Sequence, residues 1–337
     1  MLPIIYLQST TYHLPYMRLI LMGTGPFAAP TFRELYRTHH DIVALVTSPL
    51  HLRPGQEPPP VSIVRDITHQ QTTPIFDPEN INTPESQSRL SKYNADLMVV
   101  CDYGQILASS TLATSQLGGI NLHASLLPKY RGAAPINWAI YNGETKTGVT
   151  VIHMTPKVDA GPCIAQAETD ISPEETAMEL EKRLSELGAW LVLRTIDALK
   201  AGNLEAMAQD PALASKAPRL KKTDGLIDWS RPAEAIKNQI RALEPWPKTY
   251  TFLRRQNRPP IRLIFGPAAV EDHAGGSIPG TVLEAEKGRL VIAAGVDAIA
   301  PKSIQPVGKR LMSVEEFLRG HKVHMGDKFG MEKQDEG

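Results

Sequence analysis

Arg18-Leu19-Ile20-Leu21-Met22-Gly23-Thr24-Gly25-Pro26-Phe27-Ala28 sets an apolar run directly against a Gly-x-Gly turn, and a helical pattern through Phe32 and Leu35 follows. A short apolar run bounded by glycine reads as a buried strand. The glycines permit a tight turn, and the helix opening beyond them offers unpaired N–H groups. The alternation then repeats. Asp41 to Val46, Thr73 to Phe76, Leu97 to Val100, Gly119 to His123 and Val149 to Met154 read as strands, and Thr83-Pro84-Glu85 opens a helix with proline in its first turn. Strand–helix alternation of this kind predicts an α/β fold, a Rossmann-like, doubly wound, mainly parallel sheet with helices on both faces. Ligands of such sheets bind beyond the carboxyl ends of the strands, where Gly23, Asn121 and His123 all fall.

Taken alone, the Gly23-x-Gly25-x-x-Ala28 spacing would suggest a dinucleotide site. The next strand argues against it, because it ends in Thr47-Ser48-Pro49 and not in the acidic residue that would bind a ribose hydroxyl. On the residues alone, fold geometry and NADP binding both stay open.

Asn121-Leu122-His123-Ala124-Ser125-Leu126-Leu127-Pro128 carries the chemistry. A side-chain period of two puts Asn121 and His123 on one face of their strand and Ile120 and Leu122 on the other. Asp159, in the turn Val158-Asp159-Ala160-Gly161, follows the next apolar run and can orient the imidazole. An amide N–H can donate to a developing oxyanion, an imidazole can carry a proton near neutral pH, and a carboxylate can fix its tautomer. The three suit acyl transfer without a protein nucleophile. Ser125 lacks a Gly-x-Ser-x-Gly elbow, and Cys101 and Cys163 show no signature of an activated thiol. The attacking atom is expected to come from a substrate.

The run Asn121 to Ile136 (NLHASLLPKYRGAAPI), followed by Asp159-Ala160-Gly161-Pro162, resembles the folate-dependent formyltransferases. Ile227-Asp228-Trp229-Ser230, Ile240-Arg241-Ala242-Leu243-Glu244-Pro245-Trp246-Pro247 and Gln305-Pro306-Val307-Gly308-Lys309-Arg310 resemble the second domain of that family, so the likeness runs from about Met17 to about Leu318. It implies formyl transfer from 10-formyltetrahydrofolate to the α-amino group of methionyl initiator tRNA, with Asn121, His123 and Asp159 catalytic and no metal. It also implies that Ser125, Leu126, Leu127 and Pro128 line the folate site and that Asp102, Tyr103 and Gly104 flank the pterin. A nucleotide-sugar N-formyltransferase using the same donor is the alternative, and a non-enzymatic folate carrier is a third reading that leaves the alignment of Asn, His and Asp unexplained. In this family a similar glycine turn borders the active-site crevice and binds no nicotinamide, which implies that the turn at Gly23 and Gly25 is mainly fold geometry, with NADP binding as the alternative.

The helical stretch from Glu174 to Lys200 is expected to close the first domain, with Ser172-Pro173-Glu174-Glu175 as its capping box and Leu180, Leu184, Leu187 and Leu191 as a core-facing stripe. Asn203 to Lys222 loses periodicity and reads as a linker. A helix near Ala233 to Leu243 is then followed by short strands, Thr249 to Leu253, Ile261 to Phe265, Gly280 to Glu284 and Arg289 to Ala293, which suggest a small barrel; the family implies an OB-like one. The expected division is an N-terminal extension 1–16, a catalytic domain 17–202, a linker 203–222, an OB-like domain 223–323 and a tail 324–337.

Formal net charge is zero, so affinity for a polyanion must come from uneven charge. From Lys216 to Arg262 there are twelve Lys and Arg against four acids, an excess of +8 that fits a groove tracking phosphates. Lys221, Lys222, Arg241 and Lys248 are its tRNA-binding candidates. The family usually carries a longer, Lys/Arg-rich loop where this chain has Ser48 to Pro60, whose one cation is Arg53, a further tRNA candidate. Composition, 42% hydrophobic and 21% charged, is that of a globular protein with room for two cores. Two cysteines without metal-ligand spacing favour a reducing compartment, and the apolar runs fall short of the roughly 20 residues that span a bilayer, so a cytoplasmic protein is expected. A monomer is the expected state, though nothing in the residues derives it. Residues 1–16 lack both the cationic start of a secretory signal and the arginines of a transit peptide.

Overall fold

A computed structural model describes residues 16–50, 62–255 and 258–332, so Arg53 and nearly all of the N-terminal extension lie outside the described residues. The described chain forms two compact units. One draws on Met1–His123, Val149–Ala167 and Ser185–Gln209, the other on Ala124–Gly148, Glu168–Leu184 and Asp210–Gly337.

The strands β1 (Arg18–Gly23), β2 (Asp41–Val46), β3 (Ile75–Phe76), β4 (Leu97–Cys101), β5 (Gly119–His123), β6 (Lys146–His153) and β7 (Cys163–Asp170) form one sheet in the order β3-β2-β1-β4-β5-β6-β7. The first five run parallel, with β1 between β2 and β4. Helices α1 (Ala29–Tyr36), α2 (Ile63–His69), α3 (Pro84–Lys92) and α4 (Ser109–Leu112) alternate with them. Strands buried on both faces must be apolar throughout. Leu19, Ile20, Leu21 and Met22 are accordingly all fully buried, and Ile20 and Met22 pack with Val46, Met98 and Val100 on one face. The α3 start is the expected one, Thr83 Oγ1 accepting from Ser86 N with Pro84 in the first turn.

Two readings of this region needed correction. The strand expected at Val149 to Met154 begins earlier, at Lys146, and runs antiparallel to β5, and β7 beyond it was not foreseen. The long helix α6 starts at Ala177, after α5 (Pro135–Tyr141), because Thr176 and Glu179 form the reciprocal cap while Glu175 reaches back to Ser172 N in the preceding turn.

The second unit carries α7 (Ala233–Ala242), followed by β8 (Thr249–Arg255), β9 (Arg258–Phe265), β10 (Ala268–Glu271), β11 (Val282–Glu286), β12 (Arg289–Ala293), β13 (Ala298–Pro301), β14 (Ser303–Pro306), β15 (Met312–Ser313), α8 (Val314–Gly320) and β16 (Lys328–Gly330). The strands form two antiparallel sheets, β10-β13-β12-β11 and β15-β14-β9-β8-β16. Backbone bonds from Val282 to Asp327 and from Phe329 to Gly280 join them, as the closure of an OB-like barrel requires. Trp229, Phe265 and Phe329 meet edge-on or tilted in the core between them. No helix among the described residues is long and apolar enough to cross a membrane.

Candidate active site

The site begins at the aligned ends of β1, β4 and β5. Gly23 pairs with Cys101, and Val100 with Asn121, so the three strands stop at nearly one level. On one face of β5, Leu122 packs against α6, where Gly188 makes room because any Cβ there would meet the leucine side chain. The opposite face carries Asn121 and His123, the latter buried with about 7% of its side chain exposed.

Asp159 comes to them from the loop between β6 and β7. The loop is closed at its base by His153 N donating to the Pro162 carbonyl (3.0 Å), and Met154 N donates to the carbonyl of Gly119, the first residue of β5 (2.8 Å). Gly161 lies so close to the His153 carbonyl that a side chain would overlap it. Asp159 itself adopts φ +48°, a left-handed conformation that Asp tolerates better than most residues. Its Oδ1 accepts from Asn121 Nδ2 at 3.4 Å, and its Oδ2 lies 3.6 Å from His123 Nδ1. The structure thus brings all three candidate residues together, at separations slightly longer than tight hydrogen bonds.

The chain also reaches the back of this loop from a segment read as linker. Cys163 and Met207 exchange both backbone hydrogen bonds, each 2.8 Å, and two residues further on the Gln209 amide donates to the carbonyls of Asp159 (2.8 Å) and Gly161 (2.6 Å). Sequence reasoning missed Gln209. A lone glutamine among prolines and alanines carries no periodicity, and only the register with Cys163 reveals its place.

The glycine turn is already occupied by protein. Thr24 N and Oγ1 both donate to the Asp102 carbonyl, at 3.1 and 2.7 Å, and the Asp102 carboxylate rests where a Gly25 side chain would be. A phosphate there would meet a carboxylate at contact distance, so the turn shapes the strand end and is not a dinucleotide cradle. Although Asp102 is exposed as a residue, desolvation of its carboxyl raises its pKa. Tyr103 lies in the core under the sheet, its buried hydroxyl lacks a hydrogen-bond partner among the described residues, and burial raises its pKa. Gly104 sits at φ +85° with open space where a Cβ would go.

Cys101 is fully buried, and desolvation pushes its thiol up to about 12, which makes a thiolate nucleophile inaccessible at neutral pH. Ser125, in the second unit, is also fully buried and donates to the Lys129 carbonyl at 2.6 Å within the turn that Lys129 N closes on Leu126 O. Leu127 is buried, and Pro128 accepts from Ser215 N at 3.3 Å.

The relatives of the chain decide the family. A profile for formyl transferase matches residues 17–196, and one for the formyl transferase C-terminal domain matches residues 219–322. The methionyl-tRNA formyltransferase of Rhodopirellula baltica is 42% identical over 322 residues, covering 92% of this chain and 96% of that one. The chain belongs to the methionyl-tRNA formyltransferase family. The methionyl-tRNA formyltransferase of Citrifermentans bemidjiense is likewise 40% identical over 93% of this chain and 96% of its own. Among solved structures, the N-formyltransferase from Helicobacter canadensis, in complex with folinic acid and dTDP-3-aminofucose, superposes with a TM-score of 0.63 over 85% of this chain and 99% of that one. At 19% identity that likeness speaks to the fold alone.

The tRNA candidates fall into two kinds. Lys221 and Lys222 are exposed, as are Lys216 and Arg219 beside them. Arg241 instead donates to Asn238 Oδ1 (2.8 Å) and to the carbonyls of Ser172 (3.1 Å) and Glu175 (2.9 Å), and desolvation lowers its pKa. Lys248 is 3.8 Å from Glu244 and half-buried. Lys237 bonds Glu174, Arg231 bonds the Tyr141 hydroxyl and covers its ring, and Arg262 lies over the Tyr250 ring.

Proposed function

We propose that the chain transfers the formyl group of 10-formyltetrahydrofolate to the α-amino group of methionine esterified to initiator tRNA. The observation that carries this reading is the convergence of Asn121, His123 and Asp159 at one strand end, in a chain whose close relatives are methionyl-tRNA formyltransferases. The neutral amine attacks the formyl carbon, a C–N bond forms, and the carbonyl oxygen becomes an oxyanion. Asn121 Nδ2 has a second hydrogen beyond the one directed at Asp159, and it donates this to the oxyanion. Asp159 against Nδ1 fixes the imidazole tautomer, so Nε2 of His123 meets the substrate, and the carboxylate stabilises the imidazolium that forms. Collapse breaks the bond from the formyl carbon to folate N10. The amine gives up its proton and N10 takes one, so the transfer is balanced in protons.

Ser125 to Pro128 and Asp102 to Gly104 are assigned to the folate on the family resemblance, and each is testable by substitution and folate binding. Phosphate contacts are assigned first to Lys221 and Lys222, which are exposed, with Arg53 and Lys248 as further candidates and Arg241 the least suited because its guanidinium serves internal carbonyls. The chain is assigned to the cytoplasm, where charged initiator tRNA is found, and is taken to act as a monomer. The direct test supplies labelled 10-formyltetrahydrofolate with charged initiator tRNA, in competition with an aminosugar nucleotide. Label should enter the tRNA. Label entering the sugar nucleotide in preference would transfer the reading to the sugar N-formyltransferases.

A further inference from the structure

The Asp159 loop has a feature that the three catalytic candidates do not explain. Its backbone is held in a left-handed conformation at Asp159, and Gln209, fifty residues later in the chain, grips it from behind. The register is set by the Cys163–Met207 pair of backbone bonds. In an antiparallel arrangement, stepping back two residues from Cys163 to Gly161 faces stepping forward two from Met207 to Gln209. A carbonyl oxygen only accepts, so two carbonyls fix the amide orientation with its NH2 toward the loop and engage both of its hydrogens.

We propose that Gln209 is a positioning residue for the formyl transfer, holding the Asp159 loop so that its carboxylate faces Asn121 and His123. The proposal rests on the catalytic reading of Asp159 given above. Carboxylate placement follows from the backbone that carries it, and a displacement of about 1 Å in a catalytic group costs on the order of 10² in rate. Without the two hydrogen bonds, residue 159 can relax toward the ordinary right-handed or extended regions and swing the carboxylate away. Gln209 touches no reacting atom in this scheme.

Two variants of nearly equal shape separate donation from packing. Gln209→Met keeps the length and removes both donors. Gln209→Glu keeps the shape but sets a carboxylate against two carbonyl oxygens, which favours its protonated form, and that form restores one donor. Gln209→Met should lower kcat by about 10- to 100-fold with the KM for formyl-folate within about threefold of wild type. Gln209→Glu should match it at pH 8, yet its rate as a fraction of wild type should rise several-fold by pH 6. His123, His153, Asp159 and Asp210 are the same in wild type and in the two single position-209 variants, so the ratio isolates position 209. In an Asp159→Asn background, Gln209→Met should cost less than about threefold, since the group it positions is gone.

A Gln209→Met enzyme with wild-type kcat, beside an impaired Asp159→Asn enzyme, would overturn this inference alone. Wild-type kcat in Asp159→Asn would overturn the reading on which it rests. Fully additive losses in the double variant, a flat Gln209→Glu ratio, or loss of near-UV circular dichroism in both position-209 variants would show Gln209 to be structural.

Discussion

The end of β5 and the basic stretch from Lys216 to Arg262 present opposite relations between residue type and role. At β5 the relevant side chains are few, and the strand period together with one loop brings them together, Asn121 and His123 on one face and Asp159 at 3.4 and 3.6 Å from them. In the basic stretch the twelve cations outnumber the acids by eight, but the excess does not translate into a surface of the same charge. Lys237 meets Glu174, Arg241 caps carbonyls, and Arg231 and Arg262 cover aromatic rings, while Lys216, Arg219, Lys221 and Lys222 remain exposed. Spacing places a group when a regular element carries it, whereas a count of charges says nothing of whether each one faces water or a neighbouring carbonyl.

The contrast breaks most visibly at His123. His123→Ala and Asn121→Ala should each lower kcat by roughly 10² or more while folate affinity changes little, the scale expected for loss of an oxyanion donor. Steady-state kinetics beside equilibrium folate binding measures both. Asp159→Asn should be nearly as damaging, because an amide of the same size cannot stabilise an imidazolium by charge. Single-turnover rates against pH should show the acidic limb displaced in this variant. An unchanged limb would make the carboxylate structural.

Smaller effects are expected from the cations, and they sharpen the division between them. Lys221→Gln with Lys222→Gln should weaken tRNA binding and flatten log K against log salt by about one unit per lost phosphate contact, leaving formyl-folate binding unchanged. Arg241→Gln should act differently, lowering the stability of the fold by about 1–3 kcal/mol through its orphaned carbonyls and leaving the salt slope alone. Urea unfolding together with salt titration distinguishes the two outcomes. A lowered slope in Arg241→Gln would show that counting charge had been the better guide.

The parallel part of the sheet could be read from sequence because each strand is a short apolar run bounded by glycine, proline or a polar turn. The strand β6 was legible too, but not its antiparallel direction, since an apolar run carries none, and β7 escaped because Cys163-Ile164-Ala165-Gln166-Ala167 is half-exposed and weakly alternating. In the second unit, Thr249 to Leu253 and Arg289 to Ala293 are rich in β-formers and were visible, whereas Ala268–Glu271 and Ala298–Pro301 are too short and alanine-rich to stand out. At the site, Asp159 was reachable through its turn. Gln209 was not, because its role depends on a pairing between residues forty-four apart in the chain, Cys163 and Met207.

The central claim is that the substrate amine, and no protein group, attacks the formyl carbon under the care of Asn121, His123 and Asp159. Rapid-quench sampling with labelled 10-formyltetrahydrofolate and charged initiator tRNA tests it most directly, following label on folate, protein and tRNA in one time course. Label should pass from folate to tRNA without appearing on the protein, and about 10² more slowly in His123→Ala. A formyl-protein species that rises before product, or a His123→Ala enzyme that keeps its rate, would contradict the account.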